Sequence, residues 1–181
     1  MLLASAVGPA AGAKGGAAGE AGPSARAGDP AVGWVVEVLP AEAGAPQEPL
    51  LRVCLDSSQP RVGVVFRHSV EKSPVVEWFE PAPPPAAGLV LVATEYESFG
   101  AGLPVDAPAG ARFRHAGDRF VIDGLAVPVP ELVVRPLSWT EHGLLAGGVQ
   151  HDLTRLADPG TPLLVRVVPV GTEPEGSCPG P

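Results

Sequence analysis

The sequence has few cations. Twelve lysine and arginine residues stand against twenty aspartate and glutamate residues, which gives a formal net charge of −8 over 181 residues. No cluster of basic side chains is present, and binding to a phosphate backbone requires such a cluster. The composition therefore argues against nucleic acid as a partner and, for the same reason, against an anionic membrane surface.

Long apolar runs are also missing. No stretch approaches the roughly 20 apolar residues that span a bilayer, so we expect no membrane span in this chain. The first residues, MLLASAV, have a short apolar run with no positive charge before it, which matches a secretion signal poorly. The residues alone therefore predict a soluble chain and leave a cytoplasmic location open. A start site assigned too far downstream would hide a signal.

Cysteine is scarce. Cys54 lies in a strand-like stretch, LLRVCL, which predicts a small buried apolar side chain. Cys178 lies in GSCPGP, near the end of the chain. The spacing does not favour a disulfide between the two, and two cysteines do not define the redox compartment. The sequence leaves their pairing open.

Common catalytic motifs are absent as well. The sequence contains no GxSxG, HExxH or CxxC, and no phosphate-binding GxxxxGK[ST] loop. Three of the four histidines, His115, His142 and His151, fall in turns or at element ends and have no metal-ligand spacing. We therefore assign no catalytic residue and no metal ligand, and we expect no cofactor.

Glycine and proline are abundant, with 23 of each. They are concentrated at the two ends, where residues 1–30 and 171–181 have few large apolar side chains. Such segments bury too little surface to offset their chain entropy, so we predict a disordered leader and a disordered tail. Residues 31–170 are rich in valine and leucine and are predicted to form a single β domain with one core.

Strand signals dominate this central region. Ten short stretches rich in valine and leucine are bounded by proline, glycine or aspartate. Turn signals at 115–118 and 123–124 separate some of them. We predict an all-β fold, an antiparallel β-sandwich or open barrel of about eight to ten short strands, with at most one short helix near 151–158. The predicted strands are 34–39, 50–55, 61–68, 74–80, 88–98, 111–115, 119–125, 131–139, 143–150 and 162–170.

A polar hexad, HSVEKS (68–73), separates two of these strands. Side chains alternate faces along a strand. By this alternation His68 shares a face with Phe66, Glu77 shares one with Val75, and Glu95 shares one with other odd-numbered residues from Leu89 to Glu97. If the three strands are neighbours, His68, Glu77 and Glu95 gather at one edge of the core. Such a cluster perturbs the pKa values of its members and is a candidate site.

Simpler explanations stand beside this hypothesis. His68 at the end of a strand is also explained as a hydrogen-bonded structural residue, and Glu77 and Glu95 as solvated carboxylates. Lys72 in the turn is by default a solvated charge. A hydrolase that uses His68 and Ser69 is disfavoured, because neighbouring strand residues point to opposite faces. A metal site of His68 with the two glutamates remains an alternative.

A second unusual stretch is TEYESFGAGLP (94–104). Its glycines, Gly100 and Gly102, allow positive φ angles or a close backbone approach. The exposed N–H groups of such a loop can form an anion-binding concavity. A tight corner between sheets, where glycine is needed for geometry alone, explains the same pattern. The sequence does not decide between them.

Together these two stretches resemble the bacterial and archaeal family called domain of unknown function 1850. Its members carry HSVxKxPVxExF and then T-x-[YF]-x-SFGAGLP. The likeness covers about residues 50–168. The first pattern matches here from His68 to Phe79, and the second from Thr94 to Pro104. The family's function is not established, so the resemblance implies little chemistry.

The resemblance does imply a setting. Genes of the family are commonly neighbours of tripartite ATP-independent periplasmic (TRAP) transporters of the TAXI type, which implies a small extracytoplasmic or membrane-associated accessory protein. Family members often begin with an apolar leader, and this chain has only LLASAV. We expect a non-enzymatic domain that binds transporter components or a small carboxylate or amino-acid solute. The alternative is a small hydrolase or metal-dependent enzyme. The candidate binding residues are His68, Ser69, Lys72, Glu77, Glu95, Tyr96, Ser98, Gly100 and Gly102.

Overall fold

The structure is a computed structural model that describes residues 33–42, 44, 48–84, 86–99 and 103–170. The predicted leader (1–30) and tail (171–181) lie outside the described residues, as do Gly100 and Gly102. The central region is almost entirely β-structure. Its eleven strands are β1 (Gly33–Pro40), β2 (Leu51–Leu55), β3 (Val62–Arg67), β4 (Pro74–Pro81), β5 (Leu89–Tyr96), β6 (Arg112–Ala116), β7 (Arg119–Val129), β8 (Leu132–Val134), β9 (Gly143–Ala146), β10 (Val149–Asp152) and β11 (Leu163–Val170).

The strands form two antiparallel sheets. One has four strands in the order β2-β1-β11-β8, and the other has seven in the order β10-β9-β3-β4-β5-β7-β6. In the described part of the chain neither sheet closes into a barrel, so the sandwich is the correct one of the two predicted architectures. Neighbouring strands within β3-β4-β5 are also consecutive in the sequence, as the hexad hypothesis required.

The core lies between the two sheets. Valine and leucine fill it, because their branched side chains pack well on a pleated surface. The alternation along β3 places Val62, Val64 and Phe66 on the core face. The core residues of the four-stranded sheet include Val36, Val38, Leu132, Val134, Leu163 and Val165.

Two local predictions were wrong. The stretch 143–150 contains a tight turn at Gly147 and Gly148, both with positive φ, so it forms the hairpin β9–β10 instead of one strand. The Asp123-Gly124 signal does not end a strand, since β7 continues through it to Val129. The prediction of at most one short helix near 151–158 is confirmed: a single 3-10 turn, Leu153–Arg155, lies there and is capped by the Asp152 side chain.

Cys54 also differs from its prediction. It lies in β2, is half-buried, and is disulfide-bonded, so the interpretation as a simple buried apolar side chain was wrong. The sequence has one other cysteine, Cys178, which lies outside the described residues.

Candidate functional site

Several loops meet at one end of the sandwich, which we call the motif end. The β3–β4 loop (68–73), the residues after β5 (97–99) and the β6–β7 turn (117–118) lie there because the antiparallel pairings place those strand ends side by side. The 137–142 segment joins them, since the Arg67 N–H donates to the Thr140 carbonyl at 2.7 Å. The hydroxyls of Ser73 and Ser98 are 2.8 Å apart. The two sequence motifs are therefore in direct contact.

The hexad itself is a closed hairpin loop. The His68 N–H donates to the Ser73 carbonyl at 2.8 Å, and the Lys72 N–H donates to the His68 carbonyl at 2.9 Å. Lys72 has a φ of 56°, a left-handed conformation that is uncommon for a residue with a side chain. The Arg67 guanidinium donates to the Lys72 carbonyl at 2.6 Å and so holds the loop from its base. The loop shape is well determined by its own hydrogen bonds.

His68 helps to build that loop. Its side chain is buried, and Nδ1 accepts the Glu71 N–H at 3.1 Å. A ring nitrogen that accepts a backbone N–H is not open to a substrate proton, which weakens the hydrolase alternative. Ser69, the next residue, is exposed, as alternation predicted. The histidine and the serine therefore face different surroundings.

Exposed side chains at the motif end are of mixed character. Lys72 is exposed and has no ion pair among the described residues. Val70, Phe99 and Trp139 are large apolar residues at the same end with 64%, 48% and 60% of their surface exposed. Half of the six large apolar residues exposed in the described part of the chain are thus found on three neighbouring loops. A concentration of this kind marks an interaction surface more often than a chance distribution does.

Glu77 does not belong to this surface. It lies on the core face of β4, directly between Val64 of β3 and Thr94 of β5, and only 8% of it is exposed. Burial raises the pKa of its carboxyl to about 7. His68 lies four residues along the strand from Val64, which places it about 13 Å from the Glu77 row at the usual rise of a strand. The structure therefore does not bring His68 and Glu77 together.

Glu95 lies on the opposite face of the sheet from Glu77. A β-bulge between Leu91 and Ala93 inserts one residue, so Thr94 and Tyr96 face the core, and Glu95 faces away from it. The predicted face from Leu89 to Glu97 was therefore wrong beyond the bulge. The Glu95 carboxylate accepts the Trp78 indole N–H at 2.8 Å and lies 3.7 Å from the Arg119 guanidinium. It is a partnered carboxylate on the outer face.

Tyr96 and Ser98 connect the second motif to the core. Tyr96 is fully buried, its hydroxyl donates to the Pro104 carbonyl, and burial raises the pKa of its phenol. Ser98 makes the contact with Ser73. Gly100 and Gly102, the proposed anion-binding part of the loop, lie outside the described residues. The described part of the motif anchors the loop from both sides of the glycines.

An aromatic group beside this loop was missed by sequence reasoning. The Phe99 ring lies 4.1 Å from the Phe120 ring and 6.3 Å from the Phe113 ring, measured between centroids. His115 packs edge-on against Phe120 at 4.7 Å. The sequence predicted a hairpin with its turn at 115–118, but the turn is shorter, at 117–118, and only this register pairs His115 with Phe120. The position of Phe99 could not be predicted either, because it depends on the fold of the loop.

A polar recess was missed as well. It has a volume of about 360 Å³ and is lined by Ser138, Glu141, His142, Gln150, Asp152 and Thr154. The recess lies beside the motif end, since Arg67 donates to Glu141 at 2.9 Å as well as to the hexad. No sequence spacing pointed to it, because its residues come from a turn, a strand and a 3-10 helix.

In the described part of the chain, no helical segment has the length and hydropathy of a membrane-spanning helix. Within the same residues, no three histidine, cysteine, aspartate or glutamate side chains are grouped so that they could hold a metal ion.

The chain was compared with known proteins. A family model described as a domain of unknown function, DUF1850, matches residues 62–153, just over half of the chain. Comparison with curated proteins and with solved structures finds no match. The matched range begins at the first residue of β3 and includes every strand of the seven-stranded sheet, the motif end and the polar recess. By this match the chain belongs to the DUF1850 family.

Proposed function

We propose that the protein is a non-enzymatic accessory domain of a TAXI-type solute transporter and that it contacts a protein component of that transporter through the motif end. The transporter setting comes from the family resemblance, whose genes are commonly neighbours of such transporters. The observation that carries the proposal is the contact between the two motifs, Ser73 to Ser98, at an end where Val70, Phe99 and Trp139 are exposed beside Lys72.

The character of this surface favours a protein over a small solute. Its exposed groups are large apolar side chains at loop tips, with one ammonium among them, and aromatic anchors of this kind dominate protein interfaces. The loops that carry Val70 and Trp139 are held by internal hydrogen bonds, so little conformational entropy is lost there on binding. Small-solute binding by the 98–104 loop, part of which lies outside the described residues, is the second form of the proposal.

The disulfide at Cys54 supports an extracytoplasmic location. Disulfides persist in oxidising compartments such as the periplasm and are rare in the cytosol. This agrees with the setting that the family resemblance implies. The proposal therefore places the domain on the side of the membrane where the transporter meets its solute.

The test is a binding assay with the solute-binding subunit of the neighbouring transporter. Val70→Ser and Lys72→Glu should each weaken binding by about tenfold, the effect of losing a central contact of an interface. Val149→Ser is the matched control, because Val149 has 56% of its surface exposed in the β9–β10 hairpin at the opposite end of the sandwich. The proposal predicts that this control binds like the unmodified protein.

A thermal-shift series with dicarboxylates and amino acids tests the second form. A higher melting temperature in the absence of subunit binding would replace protein contact by solute binding. Absence of both effects would refute the proposed function, as would equal losses in Val70→Ser and Val149→Ser.

A further inference from the structure

The polar recess beside the motif end contains a buried histidine with one unused nitrogen. His142 is buried, with 8% of its surface exposed, and its ring stacks on Phe66 with centroids 5.7 Å apart. Nδ1 lies 2.6 Å from the Thr140 hydroxyl. Nε2 has no hydrogen-bond partner among the described residues and is not sealed from solvent. Since His142 lines the recess, Nε2 is the ring group that a ligand there can reach.

The hydrogen bonds of Thr140 define which nitrogen carries the proton. Its hydroxyl donates to the Leu137 carbonyl at 2.9 Å and accepts the Leu137 N–H at 3.1 Å. With its single proton committed, the hydroxyl can only accept from His142, so Nδ1 is protonated. Burial lowers the pKa of His142 to about 4, which keeps the ring neutral at pH 7. Nε2 therefore presents a lone pair and is a hydrogen-bond acceptor.

Glu141 provides a second acceptor in the recess. Its Oε2 accepts from Arg67 at 2.9 Å, and its Oε1 has no partner among the described residues. Glu141 has a φ of 48°, and this left-handed conformation lets two consecutive side chains, Glu141 and His142, line one recess. In a regular strand they would point to opposite faces.

The other charged residue that lines the recess, Asp152, already has its own partners. Both Asp152 oxygens are occupied, one by the backbone and hydroxyl of Thr154 and the other by Arg155 at 3.1 Å. Neither lysine nor arginine is among the residues that line the recess. Among the ionisable groups that line the recess, a ligand therefore meets two open acceptors, one of them on a carboxylate, and this combination selects a hydrogen-bond donor with positive charge.

We propose that this recess binds a small organic cation, whose primary ammonium or guanidinium group donates to His142 Nε2 and Glu141 Oε1. The volume of about 360 Å³ falls at the small end of the range for ligand sites in proteins. The site uses none of the residues that contact a partner in the proposed function, so it goes beyond that function. Arg67 joins the two regions, because it donates to both the hexad and Glu141.

The test uses agmatine, which carries an ammonium and a guanidinium group, with succinate and glycerol as anionic and neutral controls. Isothermal titration should show binding of agmatine alone. In ¹⁵N spectra of the imidazole rings, free protein should show a protonated Nδ1 and an unprotonated Nε2 for His142. Agmatine should shift the Nε2 resonance, the change expected when a lone pair accepts a hydrogen bond.

Two variants localise the binding. Glu141→Gln keeps an oxygen for Arg67 but removes the charge, and it should weaken agmatine binding by about tenfold or more. Glu131→Gln changes an exposed glutamate outside the recess and should bind like the unmodified protein. An unshifted Nε2 resonance at saturating agmatine, or equal affinity in both variants, would overturn the proposal. The Nε2 measurement is made on the unmodified protein, so it does not depend on how well a variant folds.

Discussion

Glu37 and Glu77 lie in different sheets and are equally buried, each with 8% of its surface exposed. Glu37 of β1 lies between Arg166 of β11 and Arg52 of β2. The Arg166 guanidinium lies 2.8 Å from the Glu37 carboxylate. Glu77 has Val64 and Thr94 in the corresponding positions. Burial alone therefore does not decide how a carboxylate behaves in this fold; the residue on the neighbouring strand does.

The carboxylate of Glu95 is paired more strongly than that of Glu77 and more weakly than that of Glu37. It accepts the Trp78 N–H, and its ion pair with Arg119 is long and partly solvated. The three glutamates thus form a series. Glu77 has no partner among the residues that the structure describes, Glu95 has one hydrogen bond and a weak ion pair, and Glu37 has two cross-strand arginines. Substitution of each by glutamine removes the charge at nearly constant shape, and the series predicts a different sign or size at each position.

The largest effect is expected for Glu77→Gln. The pKa of Glu77 is about 7 in the folded protein, against 4.5 for an ordinary glutamate, so the folded state retains a proton that the unfolded chain loses between these values. The free energy of unfolding therefore falls as the pH rises from about 4.5 to 7 and stays low above it. Glu77→Gln abolishes this loss and should be more stable than the unmodified protein by up to about 3 kcal/mol at alkaline pH.

Urea denaturation across this pH range provides the measurement. The two proteins should have similar stability below about pH 4.5, where both side chains are neutral. A stability of the unmodified protein that stays level as the pH rises through 7 would show that the Glu77 carboxyl is not desolvated, and the comparison with Glu37 would lose its basis.

Glu37→Gln should have the opposite sign. The substitution removes the negative charge that pairs with two arginines. Loss of a charge-assisted hydrogen bond at a partly exposed pair lowers the free energy of unfolding by about 1 to 2 kcal/mol. Arg166 is 44% exposed, which limits the effect. The measurement is the same denaturation experiment at neutral pH. If Glu37→Gln were as stabilising as Glu77→Gln, the cross-strand arginines would contribute nothing to the stability of the buried Glu37 carboxylate.

Glu95→Gln should have the smallest effect, below about 0.5 kcal/mol. The amide oxygen of glutamine still accepts the Trp78 N–H, and only the 3.7 Å pair with Arg119 is lost. Trp78 fluorescence offers a second readout, which should remain unchanged because the indole keeps its partner. A loss of unfolding free energy as large as that of Glu37→Gln would show that Glu95 is as strongly paired as Glu37.

The strands could be predicted from the sequence because alternation and turn residues are local properties. The stretch 61–68 became β3 and 74–80 became β4 with boundaries shifted by at most one residue. The face of the sheet on which Glu95 lies could not be predicted in this way. One extra residue in β5 reverses every later side chain, and a bulge depends on the partner strand rather than on the sequence of β5 alone.

The candidate site was predictable only in part. The convergence of the two motifs follows from the antiparallel order of β3, β4 and β5, which short connections favour. The recess around His142 could not be predicted, because its residues are brought together by Arg67 and by the left-handed backbone of Glu141. Long-range contacts and unusual backbone angles of this kind leave no periodic signal.

The bulge at Val92 has a consequence for how the family can vary. If β5 kept every residue but lost the bulge, strict alternation would exchange the environments of two neighbours: Glu95 would enter the interior, while Tyr96 would turn outward and lose Pro104. Loss of Val92 together with the bulge would instead leave Thr94 and Tyr96 on the core face. Relatives are therefore expected either to keep both the bulge and the residue count of β5 or to lack both the bulge and one residue.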